Sequence, residues 1–343
     1  GRPQRLPSPE HGGEYAVSSM KRYVLVRSIQ TVFTLWLVLT ALFVMFRSMP
    51  GDFTAQMAVA GANQEALAAL RAKWGLDQPL YVQYWRYISN LAQGSLGESP
   101  VYRVPVWEFV KMRIFNTFIL VAPAMTFTYI LGALIGTIAG SKRGSRLEKL
   151  GLIPVIGAGS FPAFFISIVL IVVFASWLNL FPTSGMLSAG GSDAGTWWGP
   201  YVTPDFGIHY VLPFVAVVCR YLFIPSLIMR TSVVEVMGQD YTEYHRLTGL
   251  PTGKRLRHVA KHASLPVITI YPVSLARALG GLVLVETVFN WPGIGFTLVE
   301  AVLGRDYPVV QFVFFVVAAF VIISSFLIDL LYGVSDPRIR DED

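Results

Sequence analysis

Charge is scarce in this chain. Asp, Glu, Lys and Arg make up 14% of its 343 residues, against about a quarter in soluble domains, so too few charges exist to coat a soluble surface of this size. Cysteine is nearly absent. Cys219 stands alone in an apolar stretch, which excludes an internal disulfide and reads as a small apolar filler. The sequence has no Gly-x-x-x-x-Gly-Lys-Ser/Thr phosphate loop, so no nucleotide site is expected. It has neither a His-Glu-x-x-His nor a Gly-x-Ser-x-Gly motif, which argues against an intramembrane hydrolase. A net charge of +6 is not gathered into a basic run with interleaved aromatics, so nucleic acid is not an expected partner. Clustered intramembrane carboxylates and inverted repeats, the marks of channels and secondary transporters, are likewise missing.

Apolar residues are abundant, at 54%. A helix needs about 20 of them in a row to cross a bilayer. Six stretches qualify: Val24–Phe46, Thr117–Gly140, Leu152–Leu178, Tyr210–Met229, Leu265–Val288 and Val309–Tyr332. The fifth is interrupted by Pro266, Pro272 and Arg277 and is expected to be kinked and packed against protein. Lys21, Arg22 and Arg27 precede the first stretch. Lys142, Arg143, Arg146 and Lys149 follow the second, and Arg230, Arg246, Lys254, Arg255, Arg257 and Lys261 follow the fourth. The loop Asn179–His209 has no Lys or Arg. Basic loops stay cytoplasmic, so the expectation is an all-α integral membrane protein with six transmembrane helices and both termini inside.

Residues 1–19 are polar and rich in Pro, Gly and Ser, and read as a disordered leader or an added extension without a signal-peptide core. Residues 20–46 hold the first span, and 47–113 form an extracytoplasmic segment. In that segment Ala66–Trp74 has a helical pattern stopped by Gly75. Residues 114–335 form the membrane core, with a cytoplasmic loop over 230–264, and 336–343 a cytoplasmic tail. Trp197, Trp198 and Tyr201 suit the outer interface.

The loop between the fourth and fifth stretches is the most informative segment. Its first half, from Asp240, is helical and ends at Gly249, a good helix stop. Pro251 and Gly253 make a turn, and a basic helix then runs to Leu265-Pro266. Connections in bundles usually take about 2–8 residues, so a projecting helix–turn–helix implies that something docks on it. From Asp240-Tyr241 through Gly249-Leu250 to His258, the loop resembles the "EAA" coupling loop of ABC importer permeases in its oligopeptide/dipeptide form. Three further regions agree. Glu286-Thr-Val-Phe-Asn-Trp-Pro-Gly-Ile-Gly295 with Arg305-Asp306-Tyr307-Pro308 resembles the family's segment after the fifth span. Asp329-Leu-Leu-Tyr332 with Asp336-Pro337-Arg338 resembles its C-terminal signature. Pro50-Gly51-Asp52 and Gly75-Leu-Asp-Gln-Pro79 also fit. His245, Leu247, Thr248 and His262 depart from the family pattern.

The resemblance implies the architecture of a type I ABC importer permease in a prokaryotic cell membrane, half of a pore completed by a second homologous permease. It implies two cytoplasmic ATPases that bind ATP and Mg, no cofactor in this chain, and an external substrate-binding protein. The expected cargo is peptide, with oligosaccharides, nickel complexes or glutathione as alternatives. Asp240, Tyr241, Glu243, Tyr244, Arg246, Gly249, Leu250, Pro251, Lys254, Arg255 and His258 would contact the ATPase. Charges inside spans cost about 2.5–3.5 kcal/mol each to insert and are candidates for a polar path. These are Arg220, Arg277 and Glu286, the last also suiting a structural role near the outer end. Gly280 and Gly281 would permit close helix packing or gating.

Overall fold

A computed structural model describes residues 11–48, 77–189 and 196–335, and isolated positions between 64 and 72. Ala66–Trp74 is outside the described residues except at single positions, and Pro50-Gly51-Asp52, Gly75-Leu76 and Asp336-Pro337-Arg338 are outside altogether. Among the described residues the fold is helical, with one isolated antiparallel bridge between Glu98 and Pro105.

The chain divides into two compact units. The first contains α1 (His11–Ser48) and the larger, C-terminal part of α13 (Tyr307–Ser335). α1 begins inside the stretch read from sequence as leader. The two helices run antiparallel: the Tyr23 hydroxyl donates to the Asp329 carbonyl (3.0 Å), Arg27 pairs with Asp329 (3.7 Å), and Phe46 meets Phe314 at the other end. Leu25, Ile29, Val32, Phe33 and Trp36 point outward, as on a lipid-facing helix.

The second unit holds the rest. α2 (Leu80–Ala92) lies in the segment before α3 (Val106–Ser141). α3 starts well ahead of the predicted Thr117, because Pro105 supplies a fixed φ before its first turn and Arg113 stacks on Phe109 at 3.6 Å. The third apolar stretch is two helices, α4 (Arg146–Ser160) and α5 (Ala163–Leu170), the latter continuing into a π-helical turn over Ile171–Trp177. They meet at 105°. Pro162 disfavours helix at the residue before it, and Phe161 is extended (φ −85°, ψ 147°). The fourth stretch is α6 (Pro204–Tyr221) and α7 (Phe223–Met237), bent by 42°. Pro225 has no N–H for the Tyr221 carbonyl, which is where the bend falls.

α8 (Asp240–Leu247) and α9 (Thr252–Ala263) form the helix–turn–helix. α10 (Leu265–Gly281) leaves α9 at 49°. The fifth stretch breaks at Leu282, after Gly280-Gly281, where α10 gives way to α11 (Val283–Phe289); Pro272 stays inside α10. α12 (Ile294–Leu303), which the hydropathy reading does not contain, precedes α13. By length and composition three of these helices could cross a membrane, or six elements if each bent pair is one span.

α3 is the spine of this unit, and its glycines set the packing. A β-carbon at Gly132 would lie 2.6 Å from Pro225 and one at Gly136 would lie 2.5 Å from the Ser226 carbonyl. One at Gly140 would lie 2.8 Å from the Arg230 carbonyl. α7 is therefore seated backbone to backbone on this face.

Candidate functional site

The turn of the helix–turn–helix is built by Gly249. Its φ of +75° is left-handed, a conformation that closes a helix without a side-chain penalty. The Thr248 and Leu250 amides then return to the carbonyls of Tyr244 (3.0 Å) and His245 (3.1 Å). Pro251 precedes the first residue of α9, and Gly253 sits inside its first turn rather than in the loop. The pair is anchored on its inner side. Thr242 is buried and donates to the Val236 carbonyl (2.9 Å), Val259 and Ala263 are buried, and the rings of His245 and His258 lie 5.5 Å apart.

What remains outward is the tip. Tyr244 is 65% exposed and Leu247 76% exposed. Asp240, Gly249, Pro251, Lys254 and His258 are also exposed, with Leu250 and Arg255 half-buried. The side chains of Tyr241, Glu243 and Arg246 lie outside the described residues. The result is an apolar knob flanked by cations, fixed by a short turn.

The intraspan candidates separate into three environments. Arg277, Gly280, Gly281 and Leu284 are all exposed, and the first three share one strip of α10 by their spacing. Arg220 is half-buried, and its Nη1 donates to the Gly159 carbonyl at 3.2 Å. Glu286 is 0% exposed and faces no free path.

The Glu286 carboxylate sits at the N-terminus of α12. The amides of Gly295 (2.7 Å) and Phe296 (3.0 Å) donate to Oε2, and the Thr117 hydroxyl donates to Oε1 (2.6 Å). Negative charge at a helix start with amide donors is favourable. The Ile294 amide donates to the Thr117 hydroxyl (2.8 Å), and Asn116 donates to the Pro292 carbonyl (2.8 Å). The Trp291 indole donates to the Asn116 carbonyl (3.0 Å), and the Tyr201 hydroxyl to the Asn116 side chain (2.6 Å). A β-carbon at Gly293 would overlap the Glu286 carboxylate, and one at Gly295 would lie 2.6 Å from the Val283 Cα. Gly293 is thus required by the buried carboxylate, and Gly295 by the Val283 backbone against it. The translocation-path reading of Glu286 gives way to a structural one.

Two further groups, one buried and one half-buried, escaped sequence reasoning. Asp306 caps α13, accepting from the Val309 amide (3.3 Å) and from the Ser99 hydroxyl, which fixes the preceding 99–105 turn. Burial pushes its carboxyl above the ordinary carboxylate range, opposed by those hydrogen bonds. Arg230, counted only as a loop cation, sends Nε (2.9 Å) and Nη2 (2.6 Å) to Glu148. Spacing cannot pair residues so far apart in sequence.

Residues 132–341 match the family described as the binding-protein-dependent transport system inner membrane component, and residues 20–107 match the N-terminal membrane component of such systems. The chain belongs to this family: it is a permease subunit of an ABC importer of the peptide type. Membership pairs it with an ATPase and a substrate-binding protein, and sets it in the bacterial inner membrane. It is 34% identical over 322 residues to the glutathione transport system permease protein GsiC of Salmonella paratyphi A and of Escherichia coli K12, covering 94% of this chain and 99% of each relative. The Salmonella typhimurium protein of the same name is 33% identical over the same length.

Proposed function

We propose that this permease subunit forms half of an import path for peptides, glutathione among them, and that the α8–α9 tip inserts into a cleft of the ATPase. The observation that carries the reading is the tip itself: Tyr244 and Leu247 stay exposed while Thr242, Val259 and Ala263 anchor the helices behind them. Apolar residues held outward on a rigid turn suit a docking knob, and Lys254 and Arg255 add polar contacts worth under about 1 kcal/mol each where exposed.

In this reading the chain crosses the membrane six times. The bent pairs α4–α5 and α6–α7 each count as one span, α10 with α11 makes the fifth beside α1, α3 and α13, and the antiparallel pairing of α1 with α13 agrees with both termini on the cytoplasmic side. Residues 47–113 and 179–209 then lie outside and 230–264 inside. A second permease completes the path, facing the strip of Arg277, Gly280 and Gly281 on α10, where the guanidinium is available to a peptide carboxylate. ATP and Mg bind to the partner ATPases. Glutathione is favoured among the alternatives because the relatives named above are glutathione transport permeases.

The test is to co-express the chain with its neighbouring subunits, purify the complex and measure ATP hydrolysis with and without Gly249→Pro. The substitution removes the left-handed turn and leaves the spans untouched. The expected result is a co-purifying ATPase that is released or uncoupled by the change. An ATPase that never associates with the unaltered chain would overturn the proposal.

A further inference from the structure

The turn between α3 and α4 carries four cations, Lys142, Arg143, Arg146 and Lys149, and all four are exposed. The one acid in this segment, Glu148, is already committed. Arg230 holds its Oε1, and the Gly144 amide donates to its Oε2 at 2.6 Å. Among the described residues none of the four cations forms an ion pair. The turn that displays them is fixed. Gly144 is left-handed (φ +79°), and the Ser145 hydroxyl caps α4 by accepting the Glu148 amide at 3.3 Å. From this turn α4 runs antiparallel to the fourth stretch: Glu148 meets Arg230 at its start, and the Gly159 carbonyl meets Arg220 at its end. The face with Leu152 and Val155 is buried, and α4 packs on α3, α6 and α7. The opposite face is bare and changes character along its length. Arg146 and Lys149 begin it, and Leu150 (71% exposed) and Ile153 (65% exposed) continue it at helical spacing.

We propose that this turn and strip bind an anionic phospholipid of the cytoplasmic leaflet. Its phosphate lies among Lys142, Arg143, Arg146 and Lys149, and an acyl chain lies along Leu150 and Ile153. Cations at the head of an exposed apolar strip match the order in which a phospholipid presents phosphate and tail, and basic clusters just inside a span attract anionic lipid. The proposal rests on the placement of the basic loops inside, given above, and not on ATPase docking. The ATPase is the poorer occupant by position. α7 continues from Arg230 to Met237, about 10 Å further, before the α8–α9 tip begins. An apolar strip alone would suit another helix; the cations at its head call for a phosphate.

The test uses the full complex, permeases and ATPases together, in phosphatidylcholine nanodiscs. Ile153→Cys in a Cys219→Ser background carries a fluorophore. An equal small share of tail-brominated phosphatidylglycerol or tail-brominated phosphatidylcholine is then added as quencher. Phosphatidylglycerol should quench far more at the same share, and its preference should fall as salt screens the cations. That salt series needs no cation variant, so it stands whether or not such variants fold. Arg146→Gln should cut the preference about fivefold, the contribution of one cation beside an anionic leaflet. A fluorophore at Val321→Cys, exposed on α13, should be quenched alike by both lipids.

Equal quenching by the two lipids at Ile153→Cys overturns the proposal, as does the same phosphatidylglycerol preference at Val321→Cys. Quenching by neither lipid means that another chain covers the strip, and a preference that emerges only after the ATPases are stripped gives the turn to them; both sink the lipid site. Lys142→Cys in the same background should stay unlabelled by a membrane-impermeant maleimide added to spheroplasts. Labelling would overturn the placement of the turn, and with it the choice of leaflet; equal quenching without labelling overturns the lipid site alone.

Discussion

α3 and the third apolar stretch are both long and interrupted by proline, yet one is continuous and the other is bent by 105°. Pro123 removes the N–H that the Ile119 carbonyl would use. The Tyr210 hydroxyl takes that place at 3.0 Å, and α3 runs on. At Pro162 the preceding residue turns extended, and the Gly159 carbonyl is closed off by Arg220 as at a helix end. The proline does not decide the outcome. What decides is whether the neighbouring helix offers a donor that lets the ladder continue or one that caps it.

The sharpest way to break this contrast is to unseat α3 from its neighbour. Gly136→Leu drives a side chain into the Ser226 carbonyl and Met229; a loss of about 3 kcal/mol is expected, read as a lowered thermal midpoint of the purified chain in detergent. Glu286→Gln, facing α3 through Thr117, replaces an acceptor oxygen with a donor against the Gly295 and Phe296 amides or the Thr117 hydroxyl. It should cost about 2 kcal/mol in the same assay, and an unchanged midpoint would contradict the capping role. Tyr210→Phe tests the continuity of α3 directly. It leaves the Ile119 carbonyl without its donor, and about 1 kcal/mol should be lost, while the same change in a Pro123→Ala background should have a smaller effect because the helix then supplies its own N–H.

The smallest expected effect lies just before α3, where Ser99 holds Asp306. Burial raises the Asp306 carboxyl, so the folded chain binds that proton more tightly than the unfolded chain. The group's contribution is full below the ordinary carboxylate pKa of about 4 and declines as pH rises through the window up to its raised value. Asp306→Asn removes the titration, so the thermal midpoint of the variant should fall less than that of the parent across that window.

Much of the architecture was legible because hydropathy reports the membrane directly: α1, α3 and α13 sit where the apolar runs are, and Gly249 with Pro251 announced the turn. The breaks were not legible. Pro154, Pro213 and Pro272 lie within helices, while Pro162 ends one; only the neighbouring side chains tell these cases apart. The fifth stretch was expected to kink at its prolines and instead divides at Leu282. Glu286 was visible as a charge but not as a cap, since its partners Thr117 and Gly295 meet it only after α3 and α12 pack. Arg220 and Arg277 look alike in sequence, and the difference between a half-buried carbonyl ligand and an exposed strip residue is purely tertiary.

The Glu286 carboxylate occupies the volume where a side chain at Gly293 would begin. The two positions therefore cannot drift separately over generations. A lineage that acquires alanine at 293 must first shorten or lose the acid at 286, and each step alone is a less fit intermediate. The pair will be inherited as one character, and swapping segments between related permeases should succeed only when the crossover leaves residues 286–295 from a single parent.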